Sequence, residues 1–379
     1  MVSNGSGSTL SQPPAHQELA TNGVEMRIAV TADVHLVAGD DGHPERLAAL
    51  RNILEQLPKL EIDRLIIAGD LFDRDLQGYG EFETLCNAFP DISIEIIPGN
   101  HDPSLAPDHL LTANITVYSE PQLVDRDGRQ LLFVPYAGGT KMGEVIDRFR
   151  GELSAGRWIL VGHGNYGGGL STPHPHEPGV YMPLSRRDID HFEPALVLLG
   201  HIHVPTTQPP VHYPGSPCGL DISETGPRRF LILDTDNGSV TSQPIQSEVV
   251  FLAERFVILP AEDEAERLRT EIARRIESWP IAPEMRDRVR VRIDAVGYCE
   301  NRETIRDVLQ QGFAEFQCHD GAPLLNHLQV DQNPQLIALA GRVRDEIDQV
   351  DWNWSDDEPE REDALLAALA ILYRTESAS

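Results

Sequence analysis

Cysteine is scarce in this chain: 379 residues hold only four, Cys86, Cys218, Cys299 and Cys318. They lie far apart with no Cys-x-x-Cys among them. That spacing argues against a disulfide framework or a thiolate zinc ribbon and predicts reduced thiols in a cytoplasmic protein. Lysine is scarcer still, with Lys59 and Lys141 the only two. Sixty acidic residues stand against 31 basic ones, for a formal charge of −29. Such a surface repels phosphate backbones at low salt and argues against a general, charge-driven nucleic-acid binder. Adaptation to a salty cytoplasm or a basic partner subunit would each account for it. DNA stays admissible as a substrate, because at molar salt the Debye length falls to about 3 Å. No apolar run approaches the roughly 18–20 residues that span a bilayer, so no membrane segment is expected. The first 25 residues, polar and rich in Ser, Gly, Asn and Gln, lack the basic start and apolar stretch of a secretory signal. They are expected to form a disordered tail before a natural start at Met26.

What the chain does have is order along its length. From Met26 to about Val250, short Val/Ile/Leu runs alternate with amphipathic segments. Strands are predicted at 27–31, 65–68, 93–97, 115–118, 131–135, 158–161, 196–199 and 229–234, with helices at 45–57 and 80–89. Continuous apolar strands alternating with helices point to an α/β core whose sheets are buried on both faces. The segment 162–183 reads as a long loop rich in Gly, Pro and His, of a length that usually borders a site. Beyond residue 250 the text changes. Helices are predicted at 262–279, 301–316, 334–350 and 360–373, and "DRVRVRIDAV" (287–296) alternates strictly. In it Val289, Val291 and Ile293 face one way and Arg288, Arg290 and Arg292 the other. The predicted organisation is a tail (1–25), a main domain (26–250), a small α+β domain (251–330) and C-terminal helices (331–379).

Nearly every strand of the main domain ends in a metal-ligand residue. "VTADVHL" ends with Asp33 and His35, and "IIAGDLFD" carries Asp70 and Asp73. "IIPGNHD" brings Asn100, His101 and Asp102, "LVGHGN" His163, and "LLGHIH" His201 and His203. Loops at the carboxyl ends of strands are where α/β folds assemble their sites. Glycines before Asp70, Asn100, His163 and His201 would let the backbone turn sharply there. Carboxylate and carboxamide oxygens mixed with imidazole suit manganese, iron or zinc, without thiolate. Seven such donors exceed one tetrahedral ion and suit two ions that share a carboxylate, about 3.5–4 Å apart, clamping a phosphoryl group. Asp73 is either a support for this cluster or a surface turn residue. His174, His176 and His212 read as ordinary loop histidines, and His43, Arg46 and Tyr136 as weaker candidates still.

The ordered set D-x-H, G-D-x-x-D, G-N-H-D, G-H, G-H-x-H resembles the calcineurin-like metallophosphoesterases over Met26–His203. The resemblance implies a four-layer αββα sandwich with a centre of two divalent ions, usually manganese. It implies Asp33, His35 and His203 on one ion, Asn100, His163 and His201 on the other, and Asp70 between them. His101 would act near the leaving group as a general acid. Asp102 would either orient His101 or brace the turn before Pro103. Further on, "VHYPGSPCGLDISETGPRRFLILD", with "AGDLFD", "PGNHD" and "GHIHVP", resembles the nuclease subunit of SbcCD-type complexes. That branch implies a small capping domain after the phosphoesterase domain and C-terminal helices that dock on an SMC-like coiled-coil ATPase. It also implies a homodimer of the nuclease subunit and DNA as substrate, in double-strand break repair and end processing. Arg288, Arg290 and Arg292 could then contact a DNA backbone. Yet residues 255–292 hold nine arginines and eight acids, so a solvated strand face paired with neighbouring acids is the preferred reading. A metallophosphoesterase for smaller substrates is the competing expectation. A non-catalytic scaffold is not expected with every ligand type retained.

Overall fold

In the computed structural model, residues 27–40, 42–74, 77–126, 128–167, 179–261, 263–331, 333–352 and 361–374 are described. The tail, residues 168–178 of the 162–183 loop with His174 and His176, and the acidic stretch 353–360 lie outside them. The first sheet contains β1 (Arg27–Thr31), β2 (Arg64–Ala68), β3 (Ser93–Ile97), β4 (Ile115–Val117), β11 (Arg229–Asp234) and β12 (Val240–Pro244), in the order β12-β11-β1-β2-β3-β4. The second contains β5 (Gln122–Arg126), β6 (Arg129–Val134), β7 (Trp158–His163), β8 (Leu196–Gly200), β9 (Thr206–Gln208) and β10 (Val211–Tyr213), in the order β5-β6-β7-β8-β10-β9.

The continuous apolar strands are explained by three cores. Successive side chains of a strand point to opposite faces. Ile28, Val30, Ile66, Ala68 and Ile97 therefore meet Leu131, Phe133, Ile159, Val161 and Leu198 between the two sheets. Ala29, Leu65, Ile67, Ile94 and Ile96 face outward instead, onto Leu50, Ile53 and Leu54 of α1 (His43–Gln56) and Phe82 and Leu85 of α2 (Tyr79–Asn87). On the far side Leu132, Val134, Leu160, Val197 and Leu199 pack under α3 (Met142–Asp147) and α4 (Arg186–Phe192). Helix, sheet, sheet, helix is the four-layer sandwich expected from the sequence. β1 to β4 run parallel, as do β6, β7, β8 and β10, so the carboxyl ends of each set lie along one edge.

The third sheet pairs β14 (Val289–Cys299) in parallel with β13 (Val250–Ile258), β15 (Gln317–Cys318) and β16 (Leu324–Val330). α5 (Glu264–Ser278) and α6 (Arg302–Gly312) supply the long connections that parallel strands need. Val289, Val291 and Ile293 are buried in a core of their own with Leu268, Ile272, Ile305 and Leu309. α7 (Pro334–Asp348) and α8 (Arg361–Arg374) close on it through Leu259, Ala340, Leu365 and Leu369, with Tyr373 stacked 3.4 Å over Tyr298. Among the described residues no helix is long and apolar enough to cross a membrane.

Candidate metal centre

The loops leaving β1, β2, β3, β7 and β8 bring Asp33, His35, Asp70, Asn100, His163, His201 and His203 to one place. Apart from Asn100, all of them are buried. Their backbones are held in a costly conformation. Asp33, His35, Asp70 and His201 have positive φ angles of 55°, 51°, 49° and 99°, and such strain persists only where the surroundings impose it. Gly69, before Asp70, takes the positive φ of +91° that a sharp turn uses, but Gly99 and Gly200 serve otherwise. A Cβ on Gly99 would stand 2.1 Å from Asp70 Oδ1, and one on Gly200 would stand 2.0 Å from the Ala68 carbonyl oxygen. Close approach of neighbouring strand ends is what those two positions require, and neither adopts a positive φ.

Two fully buried groups of donors form, beside a part-exposed third of His35, Asp73 and His101. Asp33, His35 and His203 make one, and Asp70, His163 and His201 the other, each with its ligand atoms within 4.8 Å of one another. Asn100 Oδ1 joins the second, 2.8 Å from His163 Nε2 and 3.0 Å from His201 Nδ1. Asp70 Oδ2 reaches both, 3.2 Å from His163 Nε2 and 3.7 Å from His35 Nε2.

The hydrogen bonds around the groups show what belongs inside them. His35 Nδ1 donates to Asp73 Oδ1 at 3.2 Å and His203 Nδ1 to Glu224 Oε1 at 2.7 Å. Both Nε2 atoms then present lone pairs, only 3.1 Å apart. His163 Nδ1 donates to the Ala68 carbonyl at 2.9 Å, which aims its Nε2 lone pair at the oxygens of Asn100 and Asp70. Asp33 Oδ2 and Asp70 Oδ2 are buried and accept no hydrogen bond. Acceptors facing acceptors, with orphaned carboxylate oxygens among them, fit a cation and little else. The donors are oxygen and imidazole only, as hard or borderline divalent ions prefer. The charges agree. Burial works against a charged His163, yet Asp70 and Asp33 lift it to about 9. Burial likewise opposes charge on His203, and Glu224 with the two aspartates lifts it to about 9. Negative charge is in excess here, and protons are drawn where a cation would sit.

The other candidates divide. His101 is part-exposed beside the donors, its ring edge-on to His35 at a centroid distance of 4.6 Å. Its Nδ1 lies 3.4 Å from Asp73 Oδ1 and 3.3 Å from the Asp73 carbonyl oxygen. Asp102 does not contact that imidazole as expected. Its fully buried carboxylate accepts from Gly99 N at 2.7 Å and Phe72 N at 3.0 Å, tying the β2 and β3 loops together. Burial and the nearby Asp70 push Asp102 up to about 7 against the pull of those two donors. Of the two roles left open for Asp102 it takes the bracing one, and the carboxylate at His101 is that of Asp73. Arg290 and Arg292 lie in β14 and Arg288 in the short helical turn just before it, each with a partner. Arg288 donates to the carbonyls of Gln246 and Ser247, Arg290 pairs with Glu45 at 3.3 Å, and Arg292 holds Asp320 through two bonds. Arg288 and Arg290 thus tie this sheet to the chain before it, and Arg292 is paired within its own unit, the acid-paired strand face that the sequence also offered. Arg46 donates to the His35 carbonyl at 2.8 Å, and His43 binds Glu81 and the Val37 amide. Tyr136 and Tyr181 border the second group, with Tyr181 4.8 Å from the His201 ring. Tyr181, Ser216, Glu224 and Arg228 are neighbours that the motifs did not single out.

Known proteins similar to this chain include two curated sequences and two solved structures. "Uncharacterized metallophosphoesterase YhaO" of Bacillus subtilis (strain 168) is 27% identical over 215 residues, covering 51% of this chain and 50% of that protein. "Exonuclease subunit 1" of Enterobacteria phage T4 is 27% identical over 235 residues, covering 56% of this chain and 65% of that one. The chain thus spans between half and 65% of these relatives' lengths. Among solved structures, TT1561 of Thermus thermophilus is similar at 14% identity and a TM-score of 0.39, covering 58% of this chain and 99% of the other. A novel archaeal phosphodiesterase is similar at 16% identity and a TM-score of 0.33, with the same coverages of 58% and 99%. The model of the calcineurin-like phosphoesterase family matches residues 26–205, the stretch that supplies every donor described above. Over residues 26–205 the chain is therefore similar to that family of phosphoesterases.

Proposed function

We propose that this protein is a phosphodiesterase with two divalent ions, manganese first among them, acting as the nuclease subunit of a DNA end-processing complex in the cytoplasm. The observation that carries the two-ion reading is Asp70, whose Oδ2 lies within 3.7 Å of a histidine from each donor group. Asp33, His35 and His203 would hold one ion, Asn100, His163 and His201 the other, and Asp70 would serve both. Such ions, when bound, polarise phosphoryl oxygens and lower the pKa of water. The chain's own contribution to bond breaking is His101, exposed enough to meet substrate. Asp73 at its Nδ1 holds the ring in place, and an imidazole so placed can protonate a departing sugar oxygen. The DNA reading draws on the "YPGSP" segment and on the phage relative named as an exonuclease subunit. It brings with it an SMC-like ATPase docked on α7 and α8 and a second copy of this chain.

A small-substrate diesterase is the second reading, favoured by the charge of −29 and by the pairing of the β14 arginines. Purified protein with Mn²⁺ should hydrolyse bis-p-nitrophenyl phosphate and shorten linear duplex DNA. Hydrolysis of the ester with DNA left intact, even with a coiled-coil ATPase from the same genome added, would select the second reading. Failure on both would remove the phosphodiesterase itself.

A further inference from the structure

We infer that Glu224 is a positioning residue for the metal centre: it holds His203 as a ligand, and the segment 214–228 exists to hold Glu224. This rests on the two-ion reading and deepens it. Glu224 and His203 are 2% and 4% exposed, so their 2.7 Å hydrogen bond is shielded from water. The carboxylate is fixed from behind, where Ser216 Oγ donates to Oε2 at 2.8 Å and Leu220 N at 3.1 Å. Oε1 is thereby turned to His203 Nδ1, and His203 Nε2 to His35 Nε2 and Asp33.

The backbone of His203 is pinned from the same segment. Its carbonyl accepts from Ser216 N at 3.0 Å and from Arg228 Nη1 at 2.9 Å. Arg228, also 2% exposed, donates in addition to the Glu224 carbonyl oxygen and lies 3.8 Å from its carboxylate. Gly215 makes the approach possible. Its φ is +79°, and a Cβ there would stand 2.6 Å from the His203 carbonyl oxygen. The Gly-Ser of "YPGSP" and the Glu of "SETGP" thus have a chemical reason for their places. One face of His203 receives a carboxylate and the other a fixed carbonyl anchor, as His35 receives Asp73 and Arg46. His163 by contrast leans on a backbone carbonyl, that of Ala68. A carboxylate behind an imidazole fixes its tautomer and raises its basicity, and losing one costs a metal site about 10–100-fold in affinity.

Mn²⁺ binding to the full-length chain, followed by electron paramagnetic resonance of the free ion, tests this. Glu224→Gln keeps an acceptor for Nδ1 but removes its charge, and is expected to weaken one bound ion about 10- to 100-fold while leaving the other as in the wild type. Ser216→Ala, a milder change that leaves the carboxylate in place but less well fixed, should weaken the same ion several-fold, and serves if the first variant fails to fold. Wild-type affinity for both ions in either folded variant overturns the inference. So does a lowered unfolding temperature of the metal-free protein with unchanged Mn²⁺ binding, which would make Glu224 only the counter-charge of Arg228. Uptake of a single ion by the wild type would sink the two-ion reading instead, and the same comparison would then be read on that ion.

Discussion

His101 stands where a proton donor is useful, next to His35 and within 3.4 Å of Asp73 Oδ1. An acid matters most when the leaving group is poor. His101→Ala is therefore expected to slow cleavage of a sugar-oxygen ester such as linear DNA by about 10²–10⁴-fold. It should slow bis-p-nitrophenyl phosphate much less, because a nitrophenolate departs without help, and Mn²⁺ binding should be unchanged. Equal losses on the two substrates would show that His101 is not the acid. The donors themselves were readable from the sequence, since each follows an apolar run and a strand end is where a polar side chain must find a purpose. Their supports were less so. Asp102 adjoins His101 in the chain, yet its side chain turns back to the amides of Gly99 and Phe72, and the carboxylate at His101 comes from Asp73 on another loop. Glu224 lies 21 residues from His203 and was visible only as part of a resemblance. Partners that meet across strands leave no spacing to count.

At the scale of the element, the strands that feed two cores were legible because both faces are apolar, and their ends fell within a few residues of expectation. β5, β9, β10 and β12 were missed, as were β13, β15 and β16 beside β14: β9 (Thr-Thr-Gln) and β12 have no buried residue, β5 lies at a sheet edge, and β10 is three residues long. β14 shows how a periodic pattern can be read correctly and its purpose misjudged. Its valines are buried as the alternation requires, while its arginines already have partners. Arg290→Ala with Arg292→Ala should leave the salt dependence of any DNA binding as it was. Two free phosphate contacts would instead lower the slope of log K against log salt by about 1.8, and a drop of that size would restore the DNA reading of this face. α5 supplies a pH test. Burial, with Glu300 nearby, raises Glu264 in its first turn from 4.5 to about 7 against a hydrogen bond from the Glu300 amide. Between those values the folded protein binds more protons than the unfolded one, so stability should fall as pH rises through the window. Glu264→Gln should flatten that part of a stability-against-pH curve, and an unaltered slope would mean another group produces it.

The whole molecule carries −29 charges with 31 basic residues to offset 60 acids, and compacting such a chain opposes its own repulsion. The Debye length shortens from about 10 Å at 0.1 M salt to about 3 Å at 1 M, so added salt relieves repulsion between surface acids. It reaches the buried donors of the metal centre far less. The metal-free protein should therefore unfold at progressively higher temperature as KCl is raised from about 0.1 M to 1 M and beyond. Metal binding should strengthen the fold separately, because it removes the excess negative charge that screening cannot reach. The shape of the salt curve distinguishes the two accounts of the acidity. A surface adapted to a concentrated cytoplasm keeps gaining stability past about 1 M. One made acidic to meet a basic partner gains only what screening supplies, and levels off once its charges no longer sense one another. A midpoint that stops rising below about 0.3 M KCl would remove the salt-adaptation account. It would move the search to a basic surface that this chain meets.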